Sequence, residues 1–178
     1  MKIAINGFGR IGRLAFRLMK EDDFFDVVAI NDLSSSEEMA YLLRYDTNHR
    51  TYDKDITFDS EGIIVDGKKT RVYSEMDPSN LPWGELGIDL VFECTGKFTK
   101  KEDANKHILA GAKKVLISAP GKGDMKTVVY NVNDDILTSD DVIVSAASCT
   151  TNCLAPIVKV LDDNFGIERG FMPTIHAY

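Results

Sequence analysis

The chain reads as an α/β protein, a doubly wound parallel sheet with a short antiparallel excursion. Apolar runs of strand length alternate with helically spaced apolar residues, and strand, helix, strand in succession means parallel strands joined by right-handed crossovers. A glycine-rich turn lies between the first run and the first helical repeat. One stretch of three short runs breaks the alternation.

Taken in order, Lys2-Ile3-Ala4-Ile5-Asn6 is a buried strand, and Ile11, Leu14, Ala15, Leu18 and Met19 recur at helical spacing behind it. Val27-Val28-Ala29-Ile30-Asn31 is the second strand. Between Tyr52 and Tyr73 the runs Ile56-Thr57-Phe58, Ile63-Ile64-Val65 and Thr70-Arg71-Val72-Tyr73 read as short antiparallel strands at the sheet edge, the last two joined by an Asp66-Gly67 turn. Parallel strands are expected again at Ile88 to Cys94, Val115-Leu116-Ile117, Thr127 to Tyr130 and Val142-Ile143-Val144, with a helix over 101–110. A last helix begins at Cys149. Ser148 is its N-cap, Leu154, Ile157, Val158, Leu161 and Phe165 its apolar spacing, and Gly166 its stop. Pro156 removes one backbone bond inside it, so a bend is expected there.

With 178 residues, 44% of them hydrophobic, the chain can bury one good core. A net charge of −7 argues against a nucleic-acid footprint. The pairs Lys68-Lys69, Lys100-Lys101 and Lys113-Lys114 lie among acids and read as solvated faces. The start, with one lysine before Ile3-Ala4-Ile5-Asn6-Gly7, does not fit a signal peptide, and no apolar run approaches the ~20 residues of a membrane span. A cytoplasmic location is expected. In that reducing setting Cys94, Cys149 and Cys153 do not suggest a disulfide framework. Only His49, His107 and His176 could join them as zinc ligands, at no recognisable spacing, so no metal is expected.

Asn6-Gly7-Phe8-Gly9-Arg10-Ile11-Gly12 carries the first functional signal. G-x-G-x-x-G alone is weak, but here it follows a strand and opens a helix, and Asp32 lies twenty residues after Gly12 at the end of the second strand. That is the Rossmann-type dinucleotide pattern. Gly7 allows the tight turn, Gly9 lets a pyrophosphate approach the backbone, Gly12 lets helix pack on strand, and N–H groups near Arg10 and Ile11 face the anion. Asp32 can accept from ribose hydroxyls and would repel a 2′-phosphate, which favours NAD over NADP. A glycine turn packed for geometry alone is the competing reading.

Ser145 to Pro156 raises the second question, because two cysteines four apart could be a packed corner or a nucleophile. Cys149 falls at the first helical position, where free N–H groups and the dipole favour a thiolate. Cys153 lies one turn further in and reads as a small buried hydrophobe. A cysteine nucleophile needs a base, and His176 follows in an extended run, where it could equally be a packed residue. His49, in a loop, and His107, on an exposed-looking helix, have no chemical context in the sequence.

Taken together, Asn6 to Arg13, Asn31-Asp32-Leu33, Glu93-Cys94-Thr95-Gly96, Ile117-Ser118-Ala119-Pro120, Ser148 to Pro156 and Thr174 to Tyr178 resemble phosphorylating glyceraldehyde-3-phosphate dehydrogenases along all 178 residues. The resemblance implies an NAD-binding domain over residues 1–148 and, over 149–178, the nucleophile helix and the beginning of a truncated catalytic domain. It implies that Cys149 attacks the aldehyde, that His176 raises its thiolate fraction and assists the proton chemistry, and that phosphate releases a thioester as 1,3-bisphosphoglycerate. It places Gly7, Gly9, Arg10, Ile11, Asp32, Thr95, Gly96, Phe98 and Ser118 at the cofactor, with Ser148 and Thr150 at substrate or phosphate. Met76 falls where many relatives carry an arginine beside the adenine, so an apolar contact is expected instead. The partners it implies are glyceraldehyde 3-phosphate, inorganic phosphate and copies of the chain in a homotetramer. Erythrose-4-phosphate dehydrogenase is the nearest rival, and a nucleotide-binding module without turnover the rival from another class. The family's pattern continues past Tyr178, to a substrate-gripping arginine and a returning final helix, so His176 is expected near a frayed end.

Overall fold

The computed structural model describes residues 1–176. Among them the strands are β1 (Lys2–Asn6), β2 (Asp26–Asn31), β3 (Ile56–Asp59), β4 (Gly62–Val65), β5 (Lys68–Tyr73), β6 (Leu90–Glu93), β7 (Lys114–Ile117) and β8 (Ile143–Ser145). The helices are α1 (Arg10–Met19), α2 (Ser36–Arg44), α3 (Trp83–Leu86), α4 (Lys101–Leu109) and α5 (Cys149–Phe165). The strands form one sheet in the order β3-β4-β5-β2-β1-β6-β7-β8.

From β5 to β8 every neighbouring pair is parallel, whereas β3-β4 and β4-β5 are antiparallel. The excursion therefore sits at the edge as expected, but its last strand also joins the parallel sheet, with Ile30 opposite Val72. Asp66 and Gly67 turn β4 into β5 with φ of 49° and 77°, the left-handed pair that a tight hairpin of this twist needs.

Side chains alternate across a strand, so Ile3 and Ile5 feed one core and Ala4 the other. Phe16 and Met19 of α1 and Met39 and Leu43 of α2 cover the first face, and Trp83 and Ala104 the second. Helices on both faces make the sheet doubly wound. The inward stripe of α1 is Gly12, Phe16 and Met19, while Ile11 and Leu18, expected inside, are exposed. Gly12 sets that rotation, because a Cβ there would lie 2.2 Å from the Gly7 carbonyl oxygen, so this face must meet the turn.

Helix α2 was not signalled by apolar spacing. A capping box starts it: Ser35 Oγ accepts from Glu38 N–H while Glu38 accepts from Ser35 N–H. At its other end the buried Arg17 guanidinium donates to the carbonyls of Leu43 and Arg50, each at 3.1 Å, a cation set against a helix C-terminus.

Three expectations are corrected here. Thr127 to Tyr130 is not a strand, and only Thr127 bridges to Ser145. The Val128 N–H still donates to the Ser145 carbonyl at 2.8 Å, but the Val129 N–H turns to Asn133 Oδ1 at 2.8 Å, and the chain leaves the sheet at Asn131 with φ 58°. Helix α4 lies where expected but is not free: its His107 is fully buried. Helix α5 runs from its Ser148 cap to Gly166, with Pro156 inside. None of its residues is buried, so Cys153 is exposed rather than a core hydrophobe. None of the helices described is long and apolar enough to cross a membrane.

Candidate active site

Parallel strands bring their C-terminal ends to one edge, so Gly7 after β1, Asp32 after β2, Thr95 after β6 and Ser118 after β7 collect there. Cys149 follows β8 at the same edge. From β1 the chain winds outward through β2 and β5, then returns to lay β6 on the other side of β1. Such a reversal opens a crevice, since the two connections leave in opposite directions. A cavity of about 300 Å³ lies there. Its floor and walls come from Asn6, Gly7 and Gly9, from Asp32 and Leu33, from Glu75 and Met76, and from Cys94, Thr95, Lys97 and Phe98.

The glycines divide their roles by space. Gly7 has φ 91°, and a Cβ on it would lie 2.7 Å from the Thr95 nitrogen, so the backbones of β1 and β6 converge at that turn. Gly9 has nothing within 4 Å of its missing Cβ and faces the cavity, which leaves a ligand room against bare backbone. It is also the N-cap of α1, and no side chain caps that end. First-turn N–H groups there are open to an anion.

Asp32 is fixed from two sides: its Oδ2 accepts from Phe8 N–H at 2.6 Å and its Oδ1 from Ser34 N–H at 2.9 Å. Burial works to raise its pKa, but these backbone donors outweigh it and hold the carboxyl below the usual carboxylate range. An ionised, oriented acceptor at this position suits a pair of ribose hydroxyls. Asn31 accepts from Glu75 N–H at 2.8 Å and donates to its carbonyl at 2.9 Å, fixing the segment that carries Met76. Met76 is 77% exposed on the rim. Beneath the opposite wall, Glu93 Oε1 accepts from the N–H of Thr95 at 2.8 Å and from its hydroxyl.

A second group forms where β8 gives way to α5. Ser145 Oγ accepts from the N–H groups of Gly121 and Ala147 and donates to the Ala119 carbonyl, pinning the elbow. Ala147 takes φ 61°, uncommon outside glycine. Ser148 Oγ then accepts from Thr151 N–H at 3.0 Å, which leaves Cys149 exposed at the first helical position. Thr150 Oγ1 lies 3.4 Å from His176 Nε2. One apolar pocket is shared by Cys149, Thr150, Cys153 and the Met172 to His176 run.

Of the residues singled out in the sequence, the cavity unites Gly7, Gly9, Asp32, Met76, Thr95 and Phe98. Arg10, Ile11, Gly96 and Ser118 do not line it; Ser118 instead pairs its N–H with the Glu93 carbonyl at 3.0 Å. Cys149, Thr150 and His176 share the second pocket, and Ser148 serves as the helix cap. Tyr178 lies outside the described residues. Among the described residues no group of three or more His, Cys, Asp or Glu side chains is placed to hold a metal ion. Asn31, Glu75 and Lys97 were missed as cleft residues; only their place at or after strand ends could have signalled them. His107 was read as exposed and without context, and it is neither. Its Nδ1 accepts from the Trp83 indole at 3.0 Å and its Nε2 lies 3.0 Å from Glu93 Oε2.

A reversal-point crevice with an uncapped glycine turn and a ribose-ready aspartate defines a Rossmann-type nucleotide-binding protein. Residues 1–101 match the family model for the glyceraldehyde 3-phosphate dehydrogenase NAD binding domain, and residues 148–178 match that for the C-terminal domain of the same enzymes. The chain belongs to the glyceraldehyde-3-phosphate dehydrogenase family, and NAD is the cofactor of its nucleotide-binding domain. It is 56% identical over 177 residues to the glyceraldehyde-3-phosphate dehydrogenases of Clostridium pasteurianum and Clostridium acetobutylicum, covering 99% of this chain and 53% of each relative. With that of Lactobacillus delbrueckii subsp. bulgaricus it shares 54% over 183 residues, 100% of this chain and 54% of the relative. The chain thus spans about half the length of these relatives.

Proposed function

We propose that residues 1–148 form the NAD-binding domain, and 149–178 the start of the catalytic domain, of an oxidoreductase that converts glyceraldehyde 3-phosphate and inorganic phosphate to 1,3-bisphosphoglycerate. The observation that carries this reading is the placement of Cys149, exposed at the first position of α5, on the sheet edge that holds the dinucleotide crevice.

The chemistry follows from that placement. With its proton passed to His176, Cys149 adds through sulfur to the aldehyde carbon, the carbonyl oxygen takes that proton, and a hemithioacetal forms. His176, beside Thr150, takes the hydroxyl proton as the carbon gives up hydride, and a thioester on Cys149 remains. NAD, when bound, supplies the hydride acceptor. An oxygen of phosphate then attacks the thioester carbon, the carbon–sulfur bond breaks, and the thiolate is restored. Ser148 and Thr150, flanking the nucleophile, are suited to hold substrate or the entering phosphate, and the Cys149 N–H to stabilise the oxyanion. Asp32 meets the adenosine ribose, and Gly7 and Gly9 with the N–H groups near Arg10 and Ile11 meet the pyrophosphate. Met76, Thr95, Gly96, Phe98 and Ser118 complete the cofactor cleft. The complete enzyme works as a homotetramer, and the 178-residue chain by itself binds NAD or AMP without turning over substrate.

NAD reduction with glyceraldehyde 3-phosphate, measured with and without phosphate on the full-length protein and on the 178-residue chain, tests this. Phosphate-dependent turnover by the full-length protein alone is expected. Turnover by the homogeneous 178-residue chain contradicts the division of labour, and a preference for erythrose 4-phosphate reassigns the substrate.

A further inference from the structure

Beneath the crevice, a chain of buried polar side chains that the proposed reaction does not use joins three of its walls. Glu93 is 1% exposed, and all four of its partners can donate. Asn6 Nδ2 at 2.6 Å and His107 Nε2 at 3.0 Å meet Oε2, and the N–H and O–H of Thr95 meet Oε1. The indole N–H of Trp83 can only donate, so the His107 Nδ1 that receives it carries no proton. The imidazole proton is then on Nε2 and points at Glu93. Asn6 Oδ1 in turn accepts from Asn31 Nδ2 at 2.7 Å, and Asn31 clamps Glu75 through both backbone groups.

Trp83, His107, Glu93, Asn6 and Asn31 thus form one connected chain that ends on Thr95, on the Gly7 turn and on Glu75, at three sides of the cavity. Phe98, a fourth cavity residue, stands edge-on to the His107 ring with centroids 6.3 Å apart. Apolar side chains of the same volume would hold a core at least as well, because a buried carboxylate without a cation is costly unless every lone pair is used. What this chain supplies is geometry.

We propose that Glu93 and His107 are positioning residues for the dinucleotide: through Thr95, Asn6 and Glu75 they hold the walls that receive its adenosine half. The inference rests on the reading of the crevice as the NAD site. Calorimetry of the 178-residue chain with NAD and with AMP tests it, together with thermal unfolding of each ligand-free variant. His107→Leu removes the Nε2 donor, and both ligands should bind roughly tenfold more weakly, the order expected for one hydrogen bond to a charged group. His107→Gln restores an N–H donor towards Glu93, and binding should return to about the unaltered level, whatever its midpoint, since one restored bond offsets the loss. Val115→Ala, in the core on β7 and outside the polar chain, should lower the midpoint without moving either affinity. Affinities that follow the midpoints through all three variants would show a merely structural role and overturn the proposal. Where His107→Leu does not fold, Glu93→Gln carries the same test, since it keeps the shape and sets an amide N–H against the donors. Unaltered binding by His107→Leu or Glu93→Gln overturns this inference alone. Absence of NAD and AMP binding by the unaltered chain overturns the reading of the crevice and the inference with it.

Discussion

We propose that Asp32 carries the cofactor preference. Its two backbone donors keep it ionised and aimed, so Asp32→Gly should weaken NAD by the ~1.5–3 kcal/mol of a charged hydrogen bond and relieve the repulsion of NADP. Calorimetry with both nucleotides checks this, and an unchanged NAD-to-NADP ratio would mean the side chain faces away from the ribose. Because its pKa is depressed by folding, Asp32 stabilises the fold above the unfolded value near ~3.9, and that contribution is lost as pH falls through the lower folded value. In Asp32→Asn this acid-side loss should be smaller, as a pH series of denaturant midpoints would show. The cysteines separate by surroundings. Burial pushes the Cys94 thiol up to about 11, while Cys149 is exposed at a helix N-terminus. Alkylation near neutral pH should mark Cys149 well before Cys94, and peptide mass spectrometry reading the reverse order would remove Cys149 as the nucleophile. The placement of Asp32 at the cavity was legible because the dinucleotide pattern sets an acid at a fixed sequence distance from Gly12. Glu93 and His107 were not, because Asn6 meets Glu93 only between neighbouring strands and Trp83 meets His107 only where two helices pack.

At the scale of elements, the glycine turn and α1 are coupled by contact rather than by propensity. Gly12→Ala puts a methyl 2.2 Å from the Gly7 oxygen, so the backbone must shift, at a cost of roughly 1–3 kcal/mol in a well-packed site. Chemical denaturation should show that loss together with weakened NAD binding; full stability would mean helix and turn separate freely. Ser148→Ala removes the α5 cap and should cost about 1 kcal/mol and slow Cys149 alkylation, since the first turn frays. An unchanged labelling rate would show that the cap does not set the cysteine's reactivity. Strands with strong apolar runs and helices with named caps could be read from sequence, α5 from Ser148 to Gly166 among them. Helix α2 was missed because its signal is a capping box, Ser35 and Glu38, rather than an apolar stripe. Thr127 to Tyr130 misled because apolar composition favours a strand, whereas Asn133 and the turn at Asn131 decide the pairing.

Across the whole molecule, the nucleotide crevice is built from residues 6 to 98, while α5 buries nothing and turns Ile157, Val160, Leu161 and Phe165 outward. The two halves of the site therefore differ in what holds them. Removing residues 149–178 should leave NAD affinity unchanged by calorimetry and reduce binding of a hydrophobic dye, because the exposed apolar stripe goes with them. Loss of NAD binding in that shortened chain would show that α5 supports the crevice. The parallel sheet and the antiparallel excursion at its edge were legible, since alternating strands and helices constrain topology tightly, whereas the strand order and the cleft at the β1/β6 reversal come from the structure. Which residues of α5 are covered was not, because burial is set by neighbours that a residue pattern does not name. One measurement decides most directly whether Cys149 is the nucleophile: full-length protein given NAD and glyceraldehyde 3-phosphate without phosphate, quenched in acid and mapped by peptide mass. An acyl group on Cys149, released when phosphate is added, is the predicted result. An acyl group on Cys153, or none on any cysteine while NAD is still reduced, would contradict it.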